Sequence, residues 1–430
     1  MDILPKCRDK LGGKLKFNCK HMKQFLSILI LTFIFSCEQP IAYEAVTSIK
    51  SDITILASDS LMGREVGTKG EKMAADYIKT RMEAIGLEGK GTDGFLQDYF
   101  VKTSDNPHEK AVVGADADSS GITGYNVLGY LDNPSDQIVV IGAHFDHLGM
   151  GGIYSTARVD EIHNGADDNA SGTAALLHLA QVIKKMNLQT DFLFFAISGE
   201  EQGLWGSNYY TKNPTIDLSK VSYMINMDMV GRLDEEKGVA VYGTGTAPNW
   251  DDLLDNLNTD SLKLIRKPSG KGPSDHTSFY LKNIPVLHFF TGQHEDYHKP
   301  EDDTEKINFE GIKTVADMIE HIVVALDESD KLTFQKTKEE ESDAPRFTVT
   351  LGVMPDYLYD GMGMLIADVS EDKPAIKAGI LKGDIVVQMG DSTVTDMMSY
   401  MRALSVFSAG DQTTVVVERD GEQVAYEVEF

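Results

Sequence analysis

Several apolar runs in the sequence lead directly into residues able to hold a metal ion. IVVIGA (138–143) runs into His144-Phe145-Asp146, and FLFFAI (192–197) into Ser198-Gly199-Glu200-Glu201. YMINM (223–227) is followed by Asp228, and PVLHFF (285–290), a few residues on, by Tyr297-His298. A further carboxylate, Asp168, stands in GADDNASG at a helix start. Each has a plain structural account when taken alone. An acidic pair such as Glu200-Glu201 is usually a solvated helix start, an Asp before a helix can be an N-cap, and a histidine beside acids can sit in a surface loop. Converging on one place, two histidines and several carboxylates make the donor set for two borderline cations such as zinc.

That convergence depends on the elements that carry these residues. The four apolar runs do not alternate, so both faces of each strand should be buried, as in a parallel or mixed sheet under helices. Sites in open α/β sheets form outside the carboxyl ends of the strands, and all four runs aim their polar residues there. Between the first two runs, ASGTAALLHLAQVIKKM (170–186) reads as an amphipathic helix. From Ala45 to about Gly89 the apolar spacing is also helical, with Met73, Ala74, Tyr77, Ile78, Met82 and Ile85 on one face. Strand, helix, strand in this order predicts an α/β fold, with a mixed, mostly parallel sheet sandwiched by helices.

Residues 336–345, KTKEEESDAP, are polar and end in proline, so a linker is placed at 331–345, between a domain spanning 45–330 and a smaller one at 346–430. The last stretch, TTVVVERDGEQVAYEVEF (413–430), reads as a hairpin turning at Asp420-Gly421. The second domain is therefore expected to be β-rich.

The chain is expected to begin with a leader. FLSILILTFIF (25–35) follows Lys20 and Lys23 and is too short to span a bilayer comfortably. Ile34-Phe35-Ser36-Cys37 resembles a bacterial lipoprotein box, which would make residues 1–36 a signal segment and Cys37 the lipidated first residue. Met22 is a natural start within it. Such a leader implies export to the bacterial cell envelope, periplasm or surface, with the membrane reached only through the lipid. All three cysteines, Cys7, Cys19 and Cys37, lie at this end, which excludes a disulfide framework and any Cys-rich zinc module. The formal charge of −27 becomes about −32 once the basic leader is removed. A phosphate-backbone binder needs a basic surface, so nucleic acid is excluded as a partner.

The motifs as a set resemble the co-catalytic di-zinc aminopeptidases, the bacterial leucyl-aminopeptidase-like exopeptidases. The matching stretches are AHFDHLG (143–149), NGADDNASG (164–172), SGEEQGLWGS (198–207), INMDMVG (225–231), SDHTSF (274–279) and YHKPEDDTEKI (297–307), with LASDSLMGREVGTKGEKMAADYI (56–78) upstream. The resemblance implies two Zn2+ per chain. His144 and Asp228 would bind one zinc, Glu201 and His298 the other, and Asp168 would bridge them. Glu200 would be the catalytic base acting on a metal-bridging water, and Asp146 would hold His144 in its metal-binding tautomer. The implied reaction is hydrolysis of the N-terminal peptide bond of peptides with a free N-terminus. Related enzymes include carboxypeptidases, dipeptidases, glutaminyl cyclases and metal-free receptors, so these remain alternatives, as does a surface scaffold working through its second domain. Ser274, Asp275 and His276 also match a family motif. Adjacent residues do not readily form a serine-hydrolase relay, and pocket support is the expected role. His147, His163 and His294 are expected at the rim rather than as ligands.

LGVMPDY (351–357) and GMGMLIADVSEDKPAIKAGILKGDIVVQMGD (361–391) resemble a PDZ domain of the bacterial protease type. The loop Leu351, Gly352, Val353 would then present N–H groups to a peptide C-terminal carboxylate. Every implied zinc ligand precedes the linker, so removing 336–430 is expected to leave short-peptide hydrolysis largely intact.

Overall fold

A computed structural model describes residues 40–430 apart from 103–110, 115–120, 158, 260, 338–348, 357, 360 and 371–372. Cys37 and the leader lie outside the described residues. The chain divides into a unit ending at Ala45, of which only the start of one helix is described, and a unit spanning 46–430.

The helices are α1 (Pro40–Leu56), α2 (Lys69–Ile85), α3 (Gly172–Lys185), α4 (Trp205–Lys212), α5 (Trp250–Leu257), α6 (His276–Tyr280), α7 (Phe309–Leu326), α8 (Pro374–Ala378) and α9 (Met397–Leu404). The strands of the first domain are β1 (Glu88–Gly89), β2 (Leu96–Lys102), β3 (Val112–Val113), β4 (Ile122–Leu131), β5 (Ile138–His144), β6 (Asp191–Ile197), β7 (Val221–Met227), β8 (Val239–Tyr242), β9 (Leu264–Lys267) and β10 (Val286–Phe290). They form one sheet in the order β3-β2-β4-β6-β5-β7-β10-β8-β9, with β1 beside β4. The central pairs β5–β6, β5–β7 and β7–β10 are parallel, and β4 and β8 join antiparallel on either side.

The non-alternating runs are buried on both faces, as expected. Phe192, Phe194 and Ala196 join Val139 and Ile141 in a core roofed by α1, α2, α3 and α7. Their neighbours Leu193, Phe195 and Ile197 join Val140 in a second core under α4 and α6. Each of the Val, Leu, Ile and Phe side chains among them is worth about 1.5–3 kcal/mol of burial. The two cores together fix the sheet edge from which the site residues project.

Two sequence expectations differ from the structure. The helical stretch from Ala45 to Gly89 is two helices, broken by a short 3₁₀ segment, Asp59–Arg64. There the backbone turns left-handed at Met62, Gly63 and Arg64. A Cβ at Gly63 would lie 2.4 Å from the Gly149 carbonyl oxygen, so only glycine allows this turn to press against the loop after β5. The linker also begins later than 331. Leu332 is buried in the main core, Phe334 packs on Tyr280, and the Thr337 N–H donates to the Tyr280 hydroxyl at 3.1 Å. Apolar burial ties 331–337 to the first domain.

The second domain has its own core, including Leu351, Met364, Ile366, Val386 and Val415. Its strands are β11 (Val353–Pro355), β12 (Met364–Val369), β13 (Ile385–Met389), β14 (Ser392–Thr393), β15 (Gln412–Arg419) and β16 (Glu422–Glu429), ordered β11-β12-β13-β15-β16 with β14 beside β13. The expected hairpin is β15–β16, turning through Asp420 and Gly421 at positive φ. Strand β11 ends the sheet among the described residues.

Candidate metal centre

The carboxyl ends of β5, β6 and β7 and the loop after β10 bring the expected donors together. His144 is the last residue of β5, and its Nε2 lies 3.2 Å from Asp228 Oδ1 and 3.4 Å from Asp168 Oδ1. His298 Nε2 lies 3.3 Å from Asp168 Oδ2 and 3.2 Å from Glu201 Oε2. Asp168 is thus shared by two groups, one with His144 and Asp228, the other with His298 and Glu201.

The other nitrogen of each ring has its own acceptor, so Nε2 is the nitrogen turned to the centre. His298 Nδ1 lies 3.0 Å from the Tyr154 carbonyl, an acceptor that fixes the proton there. His144 Nδ1 faces Asp146, 3.3 Å from its carbonyl and 3.6 Å from Oδ1. The Asp146 carboxylate also accepts the N–H groups of Glu200 at 3.1 Å and Glu201 at 3.4 Å. One buried carboxylate therefore orients both an imidazole and the acidic pair. Asp168 is placed from the opposite side. Asp302 Oδ2 accepts the N–H groups of Asp167 at 2.9 Å and Asp168 at 3.0 Å, and a cis peptide joins Asp168 to Asn169.

Charge in this pocket is unbalanced. Burial opposes protonation of His144, yet Asp228, Asp146 and Asp168 hold its pKa well above the ordinary value. Burial likewise opposes protonation of His298, which Glu201 and Asp168 hold up. Glu200 is pushed well above the carboxylate range by burial, with Asp228, Asp275 and Glu201 adding to the push and His144 opposing it. His298 Nε2 is buried with no hydrogen-bond partner. Carboxylates packed this closely around two buried imidazole nitrogens fit borderline cations such as zinc. Glu200 lines the same cleft as His144, Asp168, Glu201 and Asp228.

Two of the three histidines expected at the rim, His147 and His163, are instead inside, while His294 stays partly exposed. His147 is fully buried and its Nδ1 lies 2.8 Å from Glu201 Oε1, leaving Oε2 to face His298. With Asp168 and Glu201 it forms a group whose donor atoms lie within 4.8 Å of one another. His163 is also buried, with its ring nitrogens near Ser155 Oγ and the Glu161 carbonyl. His294 pairs with Asp167 at 3.2 Å. His147 and His163 are buried because the loop carrying them after β5 folds inward. Ser274 accepts from the Asn226 amide at 2.8 Å, while His276 stacks flat on His288 at 4.4 Å between centroids. The His276 ring nitrogens have no hydrogen-bond partner, so the adjacent Ser-Asp-His residues form no relay.

Two supports were not singled out in the sequence. Arg64 is fully buried beneath the site and donates to the carbonyls of Phe145 at 2.7 Å, Asn164 at 2.6 Å and Gly165 at 3.0 Å, and also to that of Leu56. Burial pulls its pKa down to about 10, although Asp146, Asp168, Asp302 and Glu201 pull upward, so it stays charged at neutral pH. Glu71 on α2 accepts from the N–H groups of Gly67 at 2.6 Å and Tyr125 at 2.9 Å and from Ser198 Oγ, which fixes the start of the Ser198–Glu201 turn. Burial raises the Glu71 carboxyl to about 7 against those three donors. A single Arg or Glu in a glycine-containing stretch gives no spacing signal; only the inward carbonyls and N–H groups of distant loops make these two matter.

In the second domain, Leu351 is buried and Gly352 has positive φ. The Leu351 and Gly352 carbonyls accept from Ala375 and Ser370, and the Gly352 N–H donates to Thr350 Oγ1 at 3.0 Å.

Residues 126–323 match the model of Peptidase family M28, and residues 332–430 match that of the PDZ domain. The chain is 29% identical over 254 residues to leupeptin-inactivating enzyme 1 of Streptomyces exfoliatus, covering 58% of this chain and 49% of that protein. It is 30% identical over 182 residues to aminopeptidase YwaD of Bacillus subtilis, covering 39% of each. The chain thus spans half or less of the length of these two relatives. Its fold is similar to that of a Zn-dependent exopeptidase from Parabacteroides distasonis, with a TM-score of 0.52 at 17% identity over 65% of this chain and 97% of the other. A leucine aminopeptidase precursor from Bacteroides thetaiotaomicron gives 0.51 at 17% identity, over 66% and 96%. Residues 126–323 are therefore a peptidase family M28 domain, and the chain continues into a PDZ domain.

Proposed function

We propose that the protein is a zinc-dependent aminopeptidase that removes the first residue of peptides with a free N-terminus. The observation that carries this reading is a shared carboxylate, Asp168, between two donor groups, with Glu200 beside them and committed to neither. His144 and Asp228 would hold one zinc, Glu201 and His298 the other, and Asp168 both. His147 has its Nδ1 turned to Glu201 and serves to orient that carboxylate. When bound, zinc polarises the substrate carbonyl and eases ionisation of water. Asp146 keeps the His144 ring in register and sets the backbone direction of Glu200 and Glu201. Glu200, buried and short of cationic partners, is suited to hold a proton taken from the attacking water and to deliver it to the departing amine nitrogen. An acidic cleft favours the ammonium group of a free N-terminus over an acetylated one. The leader supports an exported protein of the cell envelope tethered at Cys37, and the edge strand β11 with the loop Leu351, Gly352, Val353 supports capture of peptide C-termini.

The test is a pair of leucyl peptides, one free and one acetylated, assayed with the protein before and after chelation and zinc readdition. Rapid release of leucine from the free peptide alone, stopped by the chelator and restored by zinc, is expected. Equal cleavage of both peptides, or cleavage from the carboxyl end, would remove the aminopeptidase reading.

A further inference from the structure

The PDZ domain packs behind the wall of the cleft that holds the candidate metal centre. Leu358, in the turn between β11 and β12, is buried in an apolar cluster with Met229, Ala240, Ile265 and Phe290 of the peptidase domain. Met229 and Phe290 also line the cleft that holds His144 and Glu200. Two of the cleft's apolar residues thus share one buried cluster with a residue from the other domain.

The contact is built rather than incidental. Asp356 Oδ1 accepts the Leu358 N–H at 2.8 Å, which fixes the turn that presents the side chain. On the receiving side, Gly292 has a φ of 98°, and a Cβ there would lie 2.5 Å from Leu358 Cδ1. The peptidase loop after β10 therefore leaves space for this leucine. Two polar contacts flank it: Lys267 Nζ lies 3.4 Å from the Tyr359 carbonyl, and Lys299, next to His298, lies 3.6 Å from Asp368 Oδ2.

We propose that Leu358 is a positioning residue through which the PDZ domain sets the peptidase's preference for a large apolar first residue. It acts by bracing Met229 and Phe290. A packed wall contacts a leucyl side chain closely, whereas a wall free to retreat loses those contacts and leaves a smaller side chain almost unaffected. This rests on the aminopeptidase reading and deepens it. It also reverses the sequence-based expectation that the C-terminal domain is dispensable for short substrates.

The test compares leucyl- and alanyl-4-nitroanilide hydrolysis by the full-length protein and three variants. Leu358→Ala should lower kcat/KM for the leucyl substrate about tenfold, chiefly through KM, and change the alanyl substrate less than twofold. Leu358→Met, close in volume, should restore most of the loss. Val406→Ala, at an exposed PDZ position, should match the parent on both substrates. An unchanged leucyl-to-alanyl ratio in Leu358→Ala, including an equal fall on both substrates, would overturn the proposal. Failure of the unaltered protein to cleave either anilide would overturn the aminopeptidase reading itself, and this inference with it.

Discussion

Arg64 offers the sharpest quantitative test of how the metal centre is supported. Its guanidinium is fully buried and donates to four backbone carbonyls. Three of them, of Phe145, Asn164 and Gly165, belong to the loops that follow His144 and carry Asp146 and Asp168. A hydrogen bond from a charged donor contributes about 1.5–3 kcal/mol, and each acceptor left bare inside costs about 1–3 kcal/mol. The full sum over four acceptors overstates the loss, because the space vacated by a long side chain admits water to some of them. Removing one partner of a buried ion pair costs about 3–5 kcal/mol, and the loss of Arg64's four charge-assisted bonds is of that order. Arg64→Ala should therefore destabilise the peptidase domain by about 4 kcal/mol, a large share of the roughly 5–15 kcal/mol of a typical domain. Arg64→Lys keeps the charge but not the planar fork, and should lose about half as much. Zinc affinity should fall about 10–100-fold in Arg64→Ala, as for other residues that orient metal ligands indirectly. The assay is urea unfolding followed by tryptophan fluorescence, with and without zinc. The protein's two tryptophans, Trp205 and Trp250, both lie in the peptidase domain, so the PDZ domain is silent in this signal. A loss below about 1 kcal/mol with unchanged zinc affinity would refute the supporting role argued for Arg64.

Two further outcomes follow from the site and the leader. Glu200→Gln should keep its zinc and lose activity by about a hundredfold or more, whereas Asp168→Ala should lose zinc itself; atomic absorption alongside turnover separates the two, and near-normal turnover in the Gln variant would remove Glu200 as the proton carrier. Cys37→Ala should abolish incorporation of labelled lipid and release a soluble, active protein, and labelling that survives the change would sink the lipid anchor.

The elements that build the sheet were legible because burial on both faces leaves a continuous apolar run, and β5, β6, β7 and β10 fall where those runs lie. The donors His144, Glu201, Asp228 and His298 were legible because each follows such a run, and Asp168 because it stands at the start of the helix between two of them. What was hidden acts through the backbone of distant loops. Arg64 and Asp302 serve carbonyls and N–H groups of segments far away in sequence, and no periodicity marks a residue for that task. His147 was misplaced at the rim because one residue's distance from Asp146 says nothing of how sharply the loop turns inward. Leu358 was invisible for a related reason: an apolar residue in a turn belongs to a second domain's surface until the first domain's Gly292 is seen to make room for it.

The sharing of Asp168 between donors from separate strands has a kinetic consequence. His144, Asp168, Glu201, Asp228 and His298 come from well-separated stretches, and Asp302 fastens the Asp167–Asp168 backbone to the stretch just after His298. A growing chain holds only scattered weak ligands until the loop after β10 has docked. Long-range closures of this kind come at entropic cost and late in assembly. High-affinity metal capture should therefore follow completion of the sheet, so bound zinc would serve as a timer for maturation: its arrival marks the molecules that have finished folding, and chaperoned or stalled chains would stay metal-poor.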